Sequence, residues 1–340
     1  MATTGKRYWS VMTLRPAAQI TEFAQQAETL GLEGIWGIQL PGPPFLPLAT
    51  AAAGTERLKL GTGIALAFTR SPLETATSAL DLDVISSGRV VLGIGPSVRF
   101  INEQWHGVPY DKPLQRLQEA VTLIRLITEQ GHTGKLGKWE GTYYTVDFSE
   151  LNIRPPVRPR ISIYLSALFT GAVRLAAEVG DGIAGHPVWS THWIREQVVP
   201  NLTDCLKQKN KARQDFELNV WAYVAINADR RQAIADARGT VARYASISQY
   251  EKYFAAHGFR EAARQAATAA QRQDQKALLA AIPDEMVETF AIIGTPDEVR
   301  SKVNALWELA DSLTLLEPSS FLKPEQMATY QRAIADTLYG

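Results

Sequence analysis

The chain has 340 residues, of which 46% are hydrophobic and 21% charged, a composition typical of a folded globular protein and not of a disordered one. Basic and acidic residues number 35 each, so no overall field would attract nucleic acid or an anionic membrane surface. The single cysteine, Cys205, excludes a disulfide within the chain. Neither a signal peptide nor an apolar stretch of roughly 18 residues is apparent, so we expect no membrane insertion and a cytoplasmic protein.

Apolar, strand-like runs alternate with amphipathic helical patterns along most of the chain. Strands are predicted at 8–14, 34–38, 58–65, 90–94, 161–165, 182–184, 218–226 and 312–316. Helices are predicted at 19–30, 69–85, 114–129, 171–179 and 193–209. Eight strands with helical crossovers predict the α/β class, and within it a (β/α)8 TIM barrel with insertions.

Two segments interrupt this alternation. Residues 131–152 hold four glycines and an alternating WEGTYYTV stretch, which predicts a pair of short antiparallel strands. Residues 229–281, between strands seven and eight, are rich in Ala, Arg and Gln and predict several helices, broken at 246–248 and near 257–258. This helical excursion either covers the barrel mouth, builds a subunit interface, or is a solvent-facing bundle. We interpret residues 1–340 as one barrel domain.

Catalytic groups of such a barrel belong at the carboxyl ends of its strands. Here those ends carry mainly Gly, Ser, Ala and Gln, and the fourth strand stops at Gly95-Pro96-Ser97, where glycine allows a ligand close to the backbone. The five histidines form no H-x-x-x-H pair, and no phosphate-binding loop or nucleophile elbow is present. No metal site is therefore predicted, and the pattern favours a large planar cofactor that carries the reaction itself.

The order LKLGTGIALAFTRSPLETATSALDLDVISSGRVVLGIGPS, followed by NEQWHGVPYDKP, resembles the bacterial-luciferase-like superfamily. The closer likeness is to the branch that uses the deazaflavin coenzyme F420. Two later stretches, ISIYLSALFTGAVRLAAEVGDG and ETFAIIGTPDEVRSKV, resemble the fifth strand and the last crossover helix of the same family. The resemblance implies an oxidoreductase on a barrel fold, with F420 as cofactor or FMN as the alternative, and a homodimer or homotetramer.

The resemblance also implies a cofactor site. The third strand of the family ends in a bulge with a non-prolyl cis peptide that supports the ring, and the matching bond is Gly63–Ile64. Loops after strands four and five hold the cofactor tail, partly through backbone N–H groups that bind a phosphate. The matching residues in those loops are Gly95, Ser97, Val98, Ser166, Ala167 and Gly171. Alternatively, Gly63 is only a strand-end bulge. Arg70, just beyond the bulge, would contact a phosphate or cap loop carbonyls.

One departure from the family concerns the residue that transfers a proton during the reaction. Many deazaflavin-dependent relatives end strand two with Asp-His or Glu-His, where this chain has Gln39-Leu40, and leucine cannot transfer a proton. Gln39 is therefore expected to hydrogen-bond to the ring. Glu103 and His106, in the loop after strand four, are the candidate proton carriers, unless they are ordinary surface residues. His186 is a third candidate or a structural histidine.

These expectations combine into one functional hypothesis with two alternatives. The protein is expected to move a hydride between F420 and a small organic substrate at the carboxyl ends of the barrel strands. The first alternative is a two-component monooxygenase that uses reduced FMN. The second is a non-catalytic flavin-binding protein, which the Gln39-Leu40 pair leaves open.

Overall fold

A computed structural model describes residues 5–39 and 42–339. The strands of this part of the chain are β1 (Tyr8–Met12), β2 (Gly34–Gly37), β3 (Lys59–Thr62), β4 (Ala65–Leu66), β5 (Val90–Gly95), β6 (Lys138–Glu140), β7 (Thr145–Asp147), β8 (Ser162–Ala167), β9 (Gly182–Gly185), β10 (Glu217–Ile226), β11 (Ala291–Gly294) and β12 (Ser312–Leu316). The helices are α1 (Ala17–Thr29), α2 (Phe45–Ala53), α3 (Pro72–Ile85), α4 (Pro113–Gln130), α5 (Thr170–Val179), α6 (Thr191–Trp193), α7 (Val199–Gln208), α8 (Arg230–Ala245), α9 (Glu251–Ala256), α10 (Arg260–Gln271), α11 (Gln275–Ala280), α12 (Asp284–Phe290), α13 (Pro296–Leu306) and α14 (Pro324–Ile334).

The strands form a closed eight-stranded barrel, which confirms the predicted (β/α)8 fold. Strands β10, β12, β1, β2, β3, β5, β8 and β9 follow one another in the sheet, and β9 pairs in turn with β10. The additional strand β11 pairs in parallel with β10 and is not among the eight predicted strands. It has only four residues, and such a short apolar run cannot be told from the start of the helix that follows it.

Two compact units make up the chain. The larger unit consists of residues 9–185 and 200–219, and the smaller unit of residues 1–8, 186–199 and 220–340. Within the larger unit the parallel pairs β2–β3, β5–β8 and β8–β9 place the carboxyl ends of their strands side by side, because their registers match Gly37 with Thr62, Ile94 with Leu165, and Ala167 with Gly185. Loops that follow these strands therefore lie at one edge of the sheet.

Tryptophan packing explains why glycines occur inside these strands. Trp36 is fully buried, and its ring stacks on that of Trp9 with the ring centroids 4.4 Å apart. A Cβ atom at Gly61 would lie 2.2 Å from the Trp36 ring, and one at Gly93 would lie 2.0 Å from the carbonyl oxygen of Thr62. Larger residues at these two positions would displace the indole or the neighbouring strand.

Both interruptions of the alternation have the predicted secondary structure. Strands β6 and β7 form an antiparallel two-stranded sheet, and the Glu119 carboxylate of α4 accepts hydrogen bonds from the backbone N–H groups of 142–144, in the turn between these strands. The excursion consists of α8 to α11, with α8 ending at Ala245 and α9 at Ala256. Which role the excursion has stays a prediction. No helix of the described residues is long and apolar enough to cross a membrane.

Buried ion pairs hold the amino ends of the strands in the larger unit. The Asp83 side chain is 1% exposed and accepts from Arg158 Nη2 at 2.7 Å, Arg158 Nε at 2.9 Å and the Val90 N–H at 3.1 Å. Asp181 accepts from Arg125 and Arg160, each at 2.8 Å. Burial alone would raise the pKa of Asp181, but the charges and hydrogen bonds of its partners, Arg125 first, lower it on balance. These carboxylates therefore stabilise the fold.

Candidate functional site

A strand bulge carries the predicted cis peptide. Strand β3 ends at Thr62 and β4 begins at Ala65, and the Gly63–Ile64 bond between them is cis. Thr62 Oγ1 donates to the carbonyl oxygen of Gly93 at 2.6 Å, which ties the bulge to β5. Thr62 and Ala65 are buried, whereas Gly63 and Ile64 are partly exposed. The cis peptide is thus accessible at the carboxyl end of its strand.

Gln39 supports this bulge from β2. Its side chain is 6% exposed, and its Oε1 accepts from the Leu66 N–H at 2.9 Å and from Arg70 Nη2 at 2.8 Å. Its amide nitrogen donates to Thr69 Oγ1 at 3.4 Å, which is a long hydrogen bond. Two donors already occupy the Gln39 oxygen, so the amide N–H₂ is the part of this side chain with hydrogen-bonding capacity left for a ligand. The adjoining residue of the predicted pair, Leu40, lies outside the described residues.

Three of the predicted cofactor residues lie together next to the bulge. A Cβ atom at Gly95 would lie 2.0 Å from Ser166 Oγ and 2.5 Å from Ile64 Cδ1. Strand β4 pairs with β5 so that Leu66 is opposite Gly95. The missing side chain at Gly95 therefore lets the Ser166 and Ile64 side chains pack directly against the end of β5. The ends of β3, β5 and β8 meet at this contact.

The loop that follows β5 presents free backbone N–H groups. Ser97 has a left-handed φ of 57°, a conformation that is uncommon for residues other than glycine. Tyr110 Oη donates to the Ser97 carbonyl at 2.8 Å, and Asn102 Nδ2 donates to the carbonyls of Pro96 and Val98 at 2.8 and 2.9 Å. With these carbonyls fixed, the N–H groups of Ser97 and Val98 donate to no described acceptor. Consecutive free N–H groups in a turn bind anions such as phosphate.

The second predicted tail contact lies at the start of α5. Ala167 is buried at the end of β8, Ser166 is partly exposed, and Gly171 is exposed in the first helical turn. The N-cap residue, Phe169, gives the helix no side-chain hydrogen bond. The first N–H groups of this ten-residue helix therefore lack a side-chain cap, which suits an anionic ligand. The donor set of the whole site thus fits a planar cofactor with a phosphate-bearing tail.

The two candidate proton carriers of the larger unit lie on the same loop but differ in surroundings. Glu103 is in the π-helix Ile101–Trp105, its side chain is 39% exposed, and it pairs with Arg99 at 2.5 Å. His106 follows this helix, is half-buried, and makes no hydrogen bond to the described residues. No described hydrogen bond or ion pair joins either residue to the cis peptide. Their catalytic role stays a prediction.

His186, in the smaller unit, has its ring nitrogens engaged. Nε2 and the Tyr250 hydroxyl are 3.2 Å apart, and Nδ1 accepts from the Val188 N–H at 3.4 Å. The Tyr244 and Tyr250 rings lie edge-on to the imidazole, with centroids 5.3 and 5.1 Å away. Burial lowers the pKa of His186 to about 3. The imidazole is therefore neutral at neutral pH.

Sequence reasoning missed two residues that shape the site, Asn102 and Tyr110. Both lie in the NEQWHGVPYDKP stretch, but neither has a residue type that singles it out as a ligand-binding group. A usable signal is the spacing of Asn102 four residues after Val98, since an amide at that spacing can reach the carbonyl one turn earlier. Among the described residues there is no group of three or more His, Cys, Asp or Glu side chains that could hold a metal ion.

The fold and the site together define a (β/α)8 barrel that carries a candidate cofactor site at the carboxyl ends of its strands. Residues 2–312 match the family described as luciferase-like monooxygenase, and the chain belongs to this family. The chain is 33% identical over 269 residues to the 5,10-methylenetetrahydromethanopterin reductase of Archaeoglobus fulgidus, an alignment that covers 76% of each protein.

Two solved structures share the fold. The coenzyme F420 dependent tetrahydromethanopterin reductase of Methanopyrus kandleri superposes with a TM-score of 0.80 at 21% identity, and the alignment covers 98% of each chain. The oxygenating constituent of 3,6-diketocamphane monooxygenase from Pseudomonas putida, in complex with FMN, superposes with a TM-score of 0.69 at 16% identity, again covering 98% of each chain. These likenesses show a common fold.

Proposed function

We propose that this protein is an F420-dependent oxidoreductase that transfers a hydride between the deazaflavin ring and a small organic substrate. The observation that carries the proposal is the partly exposed Gly63–Ile64 peptide, which lies next to Gly95 and Ser166. In the neighbouring loop, the N–H groups of Ser97 and Val98 have no described acceptor. This arrangement offers accessible backbone for a ring and an anion site for a tail.

The name of one solved structure favours F420, and the names of that protein and of one relative favour a reductase. The Archaeoglobus fulgidus relative is a reductase of a small-molecule substrate by its name, at an identity of 33%. The Methanopyrus kandleri reductase, which is named for its F420 dependence, shares the fold along almost the whole chain. Both names describe reductases, which supports hydride transfer as the reaction class.

Each predicted residue then has a distinct task. Bound F420 would supply the hydride chemistry, because its ring accepts and donates hydride. The Gly63–Ile64 peptide and Gly95 would support the ring, and Ser97 and Val98 would bind the tail phosphate. Ser166, Ala167 and Gly171 would complete the tail site. Gln39 would orient the bulge and hydrogen-bond to the ring through its amide nitrogen, and Glu103 or His106 would carry the proton.

FMN is the second candidate cofactor, because the Pseudomonas putida oxygenating constituent holds FMN on the same fold. In that case the protein would be the oxygenase of a two-component monooxygenase. A planar isoalloxazine ring would lie against the same Gly63–Ile64 peptide, and its single phosphate would use the same N–H groups. The donor set supports both cofactors, so the choice needs a binding measurement.

Fluorescence titrations of the purified apoprotein with F420 and with FMN test the proposal. We expect tight F420 binding and at least about tenfold weaker FMN binding. The reverse order would replace the proposal with the monooxygenase, and binding of neither cofactor would remove both. Cofactor binding without hydride transfer to any acceptor would identify a binding protein.

The homodimer or homotetramer stays a prediction that light scattering checks, and a cytoplasmic location stays one that cell fractionation checks.

A further inference from the structure

Arg70 makes fewer hydrogen bonds than Arg158 and Arg89, two other partly buried arginines of the larger unit. Arg158 donates to both oxygens of Asp83 and to the Val90 carbonyl. Arg89 makes five hydrogen bonds, four to backbone carbonyls and one to Thr55 Oγ1. Among the described residues, Arg70 donates only from Nη2, to Gln39 Oε1 at 2.8 Å. Its guanidinium therefore keeps donors that no described residue uses.

The remaining donors of Arg70 have no partner among the residues that the structure describes. Nε is buried without an acceptor, and no described carboxylate lies within ion-pair distance of the guanidinium. No described loop carbonyl accepts from it either, so the described residues give no support to the alternative that Arg70 caps loop carbonyls. Its guanidinium lies over the Phe45 ring, with Cζ 5.5 Å from the centroid, which holds a cation without neutralising it. Burial lowers the pKa of Arg70, and the charge of Glu74, which forms no ion pair with it, offsets this only in part. A partly buried cation without an ion-pair partner is costly unless an anion joins it.

The position of Arg70 places this cation beside the candidate site. It lies in the loop between β4 and α3, after the carboxyl end of the bulged strand. The Gln39 oxygen that binds Arg70 also binds the N–H of Leu66, two residues beyond the cis peptide. One side chain thus fixes the geometry of both the bulge and the guanidinium. A ligand bound at Ile64 would therefore lie beside the loop that carries Arg70.

We propose that Arg70 binds an oxyanion, a carboxylate or a phosphate, of the molecule held at the carboxyl ends of the strands. The inference rests on the proposed function, since it takes the Gly63–Ile64 peptide and the strand ends beside it as the ligand site. The oxyanion comes either from the cofactor tail or from the substrate. In the second case, the substrate is an organic acid or a phosphate ester. A guanidinium suits this task because its planar fork matches the oxygens of both groups.

Binding measurements on four proteins test the proposal: wild type, Arg70→Gln, Arg70→Lys and Arg174→Gln. Arg174 is the matched control, because it is exposed on α5 and donates to Asn201. F420 is compared with FO, the same chromophore without the phosphate and glutamate tail, by fluorescence titration. Inorganic phosphate and succinate are compared by their effect on the thermal midpoint at constant ionic strength, with and without F420.

If the oxyanion belongs to the cofactor, Arg70→Gln weakens F420 binding at least about tenfold and leaves FO binding unchanged. If it belongs to the substrate, F420 and FO affinities stay at wild-type levels, and phosphate or succinate raises the midpoint of the F420-loaded wild type but not of Arg70→Gln. Arg70→Lys, which keeps the charge and loses the fork, should lie between wild type and Arg70→Gln. Arg174→Gln should match wild type.

The proposal is overturned if Arg70→Gln has the same F420 affinity, FO affinity and anion-dependent thermal midpoint as wild type. It is also overturned if neither anion changes the midpoint of wild type and wild type binds F420 no more tightly than FO. Should wild type bind neither F420 nor FO, the proposed function fails while the phosphate and succinate arm still decides the role of Arg70. Arg70→Lys guards against misfolding of the glutamine variant, because it retains the cation over Phe45.

Discussion

The two ends of the strands in the larger unit use polar groups in opposite ways. At the amino ends, Asp83 is surrounded by three donors from Arg158 and Val90. At the carboxyl ends, Ser97 and Val98 keep free N–H groups, and Arg70 keeps a buried Nε without an acceptor. A polar group that has its partners within the protein stabilises the fold, whereas an unpartnered one is costly until a ligand arrives. The difference therefore separates structural residues from binding residues without reference to conservation.

The largest expected effect is at the amino ends. Replacing Asp83 by Ala should lower the free energy of unfolding by about 3–5 kcal/mol, because the Arg158 charge would remain partly buried without its partner. Urea denaturation measures this loss. F420 affinity of the folded variant should stay at the wild-type level. Asp147→Ala is the control, since Asp147 is an exposed hairpin carboxylate, and little change is expected. A stable Asp83→Ala variant with weak cofactor binding would contradict the division of roles.

The next largest effect is expected at the carboxyl ends of the strands, on F420 affinity. Gly95→Ala places a Cβ 2.0 Å from Ser166 Oγ and 2.5 Å from Ile64 Cδ1, so both side chains must shift away from their places in the candidate site. F420 affinity should fall at least about tenfold in a fluorescence titration. Gly5→Ala is the control, because its Cβ would meet nothing within 4 Å. Unchanged affinity in Gly95→Ala would remove Gly95 and these two contacts from the cofactor site.

His186, in the smaller unit, is a further polar side chain whose hydrogen-bond partners lie within the protein. The pKa of His186 is about 3 in the folded state and about 6.5 in the unfolded state, so between these pH values the folded state binds fewer protons than the unfolded state. The free energy of unfolding should therefore have its full value above pH 6.5 and decrease as the pH falls towards 3, by up to about 1.4 kcal/mol per pH unit. His186→Gln should show a shallower decrease when urea denaturation is repeated at several pH values. Equal slopes would mean that His186 does not titrate in this window.

The smallest effect on stability is expected at Glu103. Because Glu103 and Arg99 form an exposed ion pair, which contributes little to stability, Glu103→Gln should leave the urea midpoint and F420 affinity unchanged. If Glu103 carries the proton, turnover of the F420-loaded enzyme should fall by about a hundredfold or more. His106→Gln is the parallel variant. If His106→Gln lowers the turnover rate and Glu103→Gln does not, His106 is the residue that transfers the proton.

The sequence by itself determined the barrel and most of its elements. The apolar runs placed β12 at 312–316 and the core of β5 at 90–94, because a strand buried on both faces leaves a continuous apolar run. The fold class followed from the alternation of such runs with amphipathic helices. The cis bond at Gly63–Ile64 was predicted too, but from the family resemblance and not from the residues alone, since nothing local marks a glycine that precedes a cis peptide.

Only the tertiary structure decided which polar residues have partners. Asp181 and Glu103 are both acids next to glycine-rich or loop segments, yet Asp181 is half-buried and binds two arginines, whereas Glu103 is exposed and pairs with one. Gln39 and Arg70 are 31 residues apart in sequence, and their hydrogen bond arises because β2 and the bulged strand end side by side. Pairings between distant segments leave no periodic signal in a single sequence. The sequence therefore specified where the strands end, and the packing of those ends decided which donors remain for a ligand.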